Sequence, residues 1–203
     1  MENKTELQPY SVLMSVYSGE KPEFFAQSLE SLYTQTYPAD EIVVVCDGEL
    51  NEQLDGVLEQ YSEKFGGKLK IHRLESHGGT AKCANTGLAI CKNEYIMKMD
   101  SDDICLENRA EKQMTYLAQH PEVSILGSYI QEFDSNTGND IAVRKPPTEN
   151  EAIRKFAKRR APFNNQTLVY KKSLAQSIGG YSEELERCED YDFMVRMLIA
   201  GAV

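Results

Sequence analysis

The sequence predicts an α/β fold built on a doubly wound, mostly parallel sheet, and three observations carry that prediction. Short, nearly continuous apolar runs recur at Tyr10–Val16, Glu41–Cys46 and Tyr95–Met99, the pattern of strands buried on both faces. The segments between them place apolar residues at helical spacing. The polar residues that close the runs, Tyr17, Asp47 and Asp100, sit at carboxyl ends of strands, where such sheets bind ligands.

Taken in order, the first run ends in a turn at Tyr17-Ser18-Gly19. Pro22 then suits a helix start, with Phe25, Leu29 and Leu32 on one face. Tyr37-Pro38 closes that helix, and the second strand ends in Asp47-Gly48. Leu54, Leu58, Tyr61 and Phe65 mark the next helix, Gly66-Gly67 stops it, and a third strand runs from Leu69 to Leu74. A Gly-rich turn, His77-Gly78-Gly79-Thr80, opens a helix from Ala81 to about Ile90, and the fourth strand delivers Asp100, Asp102 and Asp103. Asn108 and Glu111 have capping-box spacing for the following helix, which turns Ala110, Met114 and Leu117 inward.

Beyond that helix the pattern changes. Val123–Phe133 and Ile141–Lys145, joined by the turn Asn136–Asn139, read as a hairpin that Pro146-Pro147 ends. A helix with Ile153, Phe156 and Ala157 inward carries basic residues on its other face. Gln166–Tyr170 is a strand, and the last helix begins near Cys188-Glu189-Asp190, with Tyr191, Met194, Val195 and Leu198 on one face. With no repeat or linker, residues 1–203 read as one domain whose halves, about 1–103 and 104–203, share a core.

Composition narrows the function classes. The 203 residues, 41% hydrophobic and 27% charged, are those of a globular protein able to bury a core. No apolar run approaches the ~20 residues of a membrane span, and Met1–Lys4 has no signal-peptide character, so the expected location is cytoplasmic. Five scattered cysteines indicate reduced thiols rather than disulfides or zinc. A net charge of −10 argues against nucleic-acid binding. Between Arg144 and Lys172, however, nine basic residues face only Glu149 and Glu151, a local +7 that leaves −17 for the rest. Such a segment suits an anionic membrane surface or a lipid-linked diphosphate, or else is a solvated helix face.

Three carboxylates within four positions after an apolar strand are costly unless a cation joins them. Hard cations such as Mn2+ and Mg2+ take oxygen ligands, and Asp100 and Asp102 at a strand end aim at one crevice. The alternative is that they cap the next helix. Neither a Gly-x-x-x-x-Gly-Lys-Ser/Thr loop nor a Gly-x-Gly-x-x-Gly after the first strand is present, so side chains and metal must grip any nucleotide.

Ser15-Val16-Tyr17, Asp47-Gly48, the Gly79–Gly87 segment with Lys82 and Asn85, Asp100-Ser101-Asp102-Asp103 and Glu189-Asp190-Tyr191-Asp192 follow one another in this order. Together they resemble the family 2 inverting glycosyltransferases of the GT-A fold, over nearly the whole chain from Tyr10 to Gly201, and most closely the bacterial enzymes that build surface polysaccharide. The resemblance implies a GT-A, Rossmann-like sheet with a mixed-strand acceptor part after a nucleotide-binding half. It implies that Ser15, Val16, Tyr17 and Asp47 hold the nucleoside, with Asp47 on the base, and a carboxylate suits the imide N–H of uracil. Lys82 then lies by the diphosphate and Asn85, on the same helix, is among the donor-binding residues; Asp100 and Ser101 contact the donor, Asp102 with Asp100 ligates Mn2+ or Mg2+, and Asp190, with Glu189, is the base.

The implied activity is metal-dependent transfer, with inversion, of a sugar from a nucleotide donor, UDP favoured, to a saccharide or lipid-linked acceptor. The enzyme would work in the cytoplasm or at the inner face of the membrane. Sugar-phosphate nucleotidyl transfer and a non-catalytic nucleotide-sugar binding module are the alternatives. Departures from the family pattern are Cys46, where an aspartate is usual, and Asn165-Gln166, where His-Pro is usual. Family members also continue past Val203, so a shortened domain is expected.

Overall fold

The computed structural model describes residues 7–203, so the leader reading at Met1–Lys4 lies outside it. Four parallel strands, β1 (Tyr10–Val16), β2 (Glu41–Cys46), β3 (Leu69–Arg73) and β4 (Tyr95–Lys98), alternate with the helices α1 (Pro22–Tyr33), α2 (Glu52–Phe65) and α3 (Gly79–Ile90). After β4 come α4 (Arg109–Gln119), β5 (Ile125–Leu126), the hairpin strands β6 (Ile130–Phe133) and β7 (Asp140–Arg144), and α5 (Asn150–Phe156). A 3-10 turn at Asn165–Thr167, β8 (Val169–Lys171), α6 (Lys172–Ser177) and α7 (Glu189–Ile199) complete the chain.

The main sheet has the order β3-β2-β1-β4-β8-β5. The chain winds outward from β1 to β3 and returns to β4 on the other side of β1, so the winding reverses between β1 and β4, the place where α/β sheets open a crevice. Strand β8 joins β4 antiparallel and β5 joins β8, which makes the sheet mixed at that edge. One face packs against α1, α2 and α4 through Phe25, Leu29, Leu54, Leu58, Met114 and Leu117. The other packs against α3, α6 and α7 through Ala84, Leu88, Ala175, Phe193, Met194 and Met197.

Several expectations are corrected. Asn108 makes no side-chain cap; the N–H of Ala110 in α4 is taken instead by Gln35 Oε1 at 3.0 Å, and Glu111 accepts from Thr36. The expected hairpin from Val123 splits, since β5 enters the main sheet and β6–β7 pair only with each other. Residues 165–167 coil as a 3-10 turn, so the expected strand at Gln166 begins only at Val169. Phe156 is 36% exposed because α5 is too short to bury an apolar face, and α7 buries Phe193 and Met197 while Tyr191 and Val195 stay half-buried.

Helix α3 lies close on the sheet because residue 87 has no side chain. A Cβ there would come within 2.1 Å of Leu13 Cδ1 and 3.2 Å of Val45 Cγ2. In an ordinary helix interior Gly→Ala stabilises by about 1 kcal/mol. Here Gly87→Ala should destabilise by about 1–3 kcal/mol through overpacking, read as a lowered midpoint in urea unfolding. An equal or raised midpoint would contradict the close approach.

Candidate active site

The crevice is assembled by backbone held from behind. Ser28 Oγ in α1 donates to the Asp100 carbonyl (2.9 Å), and Ser31 Oγ accepts the Cys105 N–H (2.9 Å). Gln35 Nε2 donates to the carbonyls of Cys105 and Leu106. Arg109 reaches back to the Lys98 carbonyl (3.0 Å) and to Gln113. All but the Arg109–Gln113 bond use main chain of the 98–110 segment, so they fix the segment without consuming its carboxylates.

Asp100 is half-buried, and among the described residues no donor hydrogen-bonds its carboxylate. Burial pushes it above the ordinary carboxylate range; Lys98 opposes that shift, Asp102 adds to it, Arg109 opposes it and Asp190 adds to it. The structure therefore brings the start of α7 to the end of β4. Asp102 is exposed, and Asp103 is pushed up to about 6 by burial and by repulsion from Asp100 and Asp102, with Gln166 acting in the opposite sense. The Tyr181 hydroxyl, buried against Phe193, is pushed well up by burial and by Tyr170, with Asp100 and Asp190 contributing further.

Asp47 has a structural task. Its carboxylate accepts the N–H of Gly78 (2.6 Å) and of Gly79 (3.1 Å) and pairs with His77 Nδ1 (2.8 Å). It thereby caps α3 from the end of β2, where α3 has no cap of its own. The positive end of α3, a natural anion seat, is filled by this side chain. Lys82 lays its stem over Gly78 and keeps an exposed head.

Asn85 has both ends of its amide engaged, donating to the Tyr181 carbonyl (2.9 Å) and Glu183 and accepting the Tyr181 N–H (2.7 Å). Arg196 of α7 holds the carbonyls of Ile178 and Gly180. These two clamps fix the loop that carries Tyr181 beneath the crevice. A pocket of about 570 Å³ opens beside it, and four of the side chains that line it are paired with one another, Asp192 with Arg196 and Glu183 with Asn85.

At the β1 end, Val16 turns its side chain into the core and its carbonyl accepts the Asp47 N–H (2.8 Å), so it shapes the strand end without lining it. Ser15 is half-buried and Tyr17 is 51% exposed at the rim. The buried Ser101 donates its hydroxyl to Glu20, tying the aspartate turn to the turn after β1. Glu189 and Asp190 open α7 after Cys188, whose φ of 63° is the left-handed conformation disfavoured for a residue with a side chain. Cys46 packs in the core, where burial pushes its thiol up to about 11.

Sequence reasoning overlooked Lys98, which is only 2% exposed. The signal was available: it shares the inward phase of Ile96 in a strand with two buried faces, so its stem is buried and its charged head must emerge at the strand end.

As for a metal, no group of three His, Cys, Asp or Glu side chains converges on one point among the described residues. Asp100 and Asp102 do supply the hard oxygens that Mn2+ or Mg2+ prefers, and their crowded charge fits a divalent cation bound jointly with a diphosphate. Without ligand, Asp47→Ala should lower stability by about 1–2 kcal/mol through the lost cap, measured by urea unfolding, with a smaller loss for Asp47→Asn. Unchanged stability in both variants would remove the capping role.

Comparison with known proteins bears on this arrangement. Residues 11–176 match the family model described as glycosyl transferase family 2. The amylovoran biosynthesis glycosyltransferase AmsE of Erwinia amylovora is 41% identical over 192 residues, covering 95% of this chain and 70% of that protein. The UDP-Gal:alpha-D-GlcNAc-diphosphoundecaprenol beta-1,3-galactosyltransferase of Escherichia coli is 32% identical over 192 residues, covering 95% and 68%. Among solved structures, the mannosyltransferase PcManGT from Pyrobaculum calidifontis in complex with GDP-Man and Mn2+ superposes with a TM-score of 0.74 at 17% identity, covering 98% of this chain. The chain spans 54% of that protein's length. That likeness is one of fold, and the fold is GT-A.

Proposed function

The chain belongs to glycosyl transferase family 2, and from that premise we propose that it transfers a sugar, with inversion, from a nucleoside diphosphate donor to a saccharide or lipid-linked acceptor in surface-polysaccharide synthesis. The observation that carries this reading is that Asp102 and Asp190 both lie near enough to Asp100 to raise its carboxyl by repulsion, so the end of β4 and the start of α7 border one crevice despite their like charges. UDP as the donor nucleotide and a diphosphate-lipid acceptor are favoured by the name of the E. coli relative. Residues up to about 103 serve the nucleotide and the later ones the acceptor.

In this account Asp190 takes the proton of the acceptor hydroxyl as that oxygen closes on the anomeric carbon from the face opposite the leaving diphosphate. Glu189 stands beside it, while Tyr17, Ser15 and Asp47 border the nucleoside. Asp100 and Asp102 would hold Mn2+ or Mg2+, which when bound neutralises charge gathering on the departing diphosphate. Asp103, with its raised affinity for a proton, and Gln166 border the acceptor side.

Turnover, read as UDP release from a panel of UDP-sugars with a lipid-diphosphate sugar acceptor, tests the roles. Asp190→Asn should lower it by about 10²–10⁴-fold, the range for loss of a general base, with UDP affinity unchanged. Asp102→Ala should abolish the enhancement of UDP binding by Mn2+. Full turnover in Asp190→Asn, or equal UDP affinity with Mn2+ and with EDTA in the native protein, would overturn the assignment.

We also place the enzyme at the inner membrane face through its basic segment, and the fold trims that segment. Arg144 pairs with Glu132, Arg154 donates to the carbonyls of Leu198 and Ala202, Lys171 to that of Pro121 and Lys172 to that of Cys91. Lys155, Lys158, Arg159 and Arg160 remain exposed around Phe156. Each is worth about 1 kcal/mol near acidic lipid. No helix among the described residues is long and apolar enough to cross a membrane. Co-sedimentation with phosphatidylglycerol vesicles should exceed that with phosphatidylcholine at low salt and fall at least about tenfold in a Lys158→Glu, Arg159→Glu, Arg160→Glu variant. Equal partitioning to both vesicle types would remove the idea.

A further inference from the structure

Lys98 is the one inward-facing residue of β4 that is not apolar. Strand β4 pairs Leu13 of β1 with Lys98, and Leu13 and Ile96 both belong to the core under α3 and α7, so the Lys98 side chain enters the same face. The residue is 2% exposed, yet among the described residues no carboxylate forms an ion pair with its ammonium and no side chain or carbonyl accepts from it. Two groups feel its charge, the Asp100 carboxylate above it and the Cys83 thiol on α3, and Cys83 in turn borders Asp47. The ammonium therefore lies under the floor of the crevice, between the residues that close β2 and β4.

A cation on so little-exposed a side chain, with no direct partner, is costly, and an anion brought by a ligand would relieve that cost. Two features narrow what that anion is. The start of α3, which elsewhere would receive a phosphate, is occupied by the Asp47 carboxylate, so backbone N–H groups are not free to do so. The walls of the crevice are acidic, with Asp100, Asp102 and Asp190 gathered there, so a polyanion entering there needs a fixed positive group facing it. Lys82 is exposed and screened by solvent; Lys98 is held in place by the sheet and shielded from salt.

We infer that Lys98 is a further donor-binding residue, whose ammonium hydrogen-bonds the diphosphate of the nucleotide sugar from beneath. The inference rests on the donor reading given above. It makes Lys98 a complement to the metal, gripping from the floor the group that Asp100 and Asp102 approach from the strand end.

Titration calorimetry with UDP, and competition by uridine followed by NMR, separate the possibilities. In the native protein UDP binds, with and without EDTA, more tightly than uridine. Lys98→Met, which keeps the length of the stem and removes the charge, should weaken UDP at least about tenfold, as expected for a lost charged hydrogen bond, in EDTA as well as in Mn2+. Uridine affinity should change by less than about threefold, and Lys98→Arg should recover most of the UDP affinity. Should Lys98→Met fail to fold, Lys98→Gln provides the same comparison with a polar head. Native-like UDP affinity in the charge-removed variant overturns the inference, as does a parallel loss of UDP and uridine, which would make Lys98 a structural residue. Absence of UDP binding in the native protein would instead defeat the donor reading itself.

Discussion

The arrangement depends on a row of polar side chains on a helix that takes no part in the chemistry. Ser28, Ser31 and Gln35 recur at helical spacing on α1 and at its end, and all three are buried against the segment after β4. They bond to main-chain groups of Asp100, Cys105, Leu106 and Ala110. Buried polar groups must be satisfied, and here satisfaction of the helix side chains and of the irregular backbone is the same set of bonds. The carboxylates of Asp100 and Asp102 are spared, because the turn that carries them is anchored by its amides and carbonyls.

The crevice itself is an electrostatic compromise. Four acidic side chains border it, and Asp100 and Asp103 are both raised toward the protonated form by burial and mutual repulsion. Lys98 offsets part of that repulsion from below. Like charges gathered in a half-buried place weaken the ligand-free fold and reward any ligand or ion that neutralises them. The buried ion network at Glu41, on the opposite end of the sheet, shows the contrast. Burial alone would raise that carboxyl, but the Lys92 N–H, the Ser11 hydroxyl and Lys70 outweigh it and hold it below the ordinary range. Glu41 has two donors on one oxygen and the Lys70 ammonium at 2.9 Å from the other; Asp100 is left for something else.

How much of this was legible in the sequence follows from how local each cause is. Strands β1 and β2 match their expected bounds because continuous burial writes a continuous apolar run. The C-terminal stop of α2 is equally local, with Gly66 at φ 58°. The cap of α4 was misread because its acceptor, Gln35, lies 75 residues away in the chain, while Asn108 offered an attractive local substitute. Asp47, expected on the base, also caps α3 across 31 residues. Asn85, expected among the donor-binding residues, clamps a loop 96 residues on. Of the motif residues, Asp100, Asp102 and Asp190 lie near one another, while long-range hydrogen bonds engage Asp47 and Asn85 elsewhere. Lys98 escaped notice because lysine is ordinarily solvated and its strand neighbours drew attention only as a hydrophobic run.

The central claim is that the crevice at the ends of β1, β2 and β4 seats a nucleoside diphosphate together with a divalent cation. A crystal structure of the chain soaked with UDP and Mn2+, with anomalous data collected at the manganese edge, tests it most directly. The account predicts one anomalous peak beside Asp102 that touches the diphosphate, with the nucleoside toward Asp47 and a phosphate oxygen over Lys98. An anomalous peak elsewhere, or UDP bound with its diphosphate away from the 100–103 turn, would contradict it.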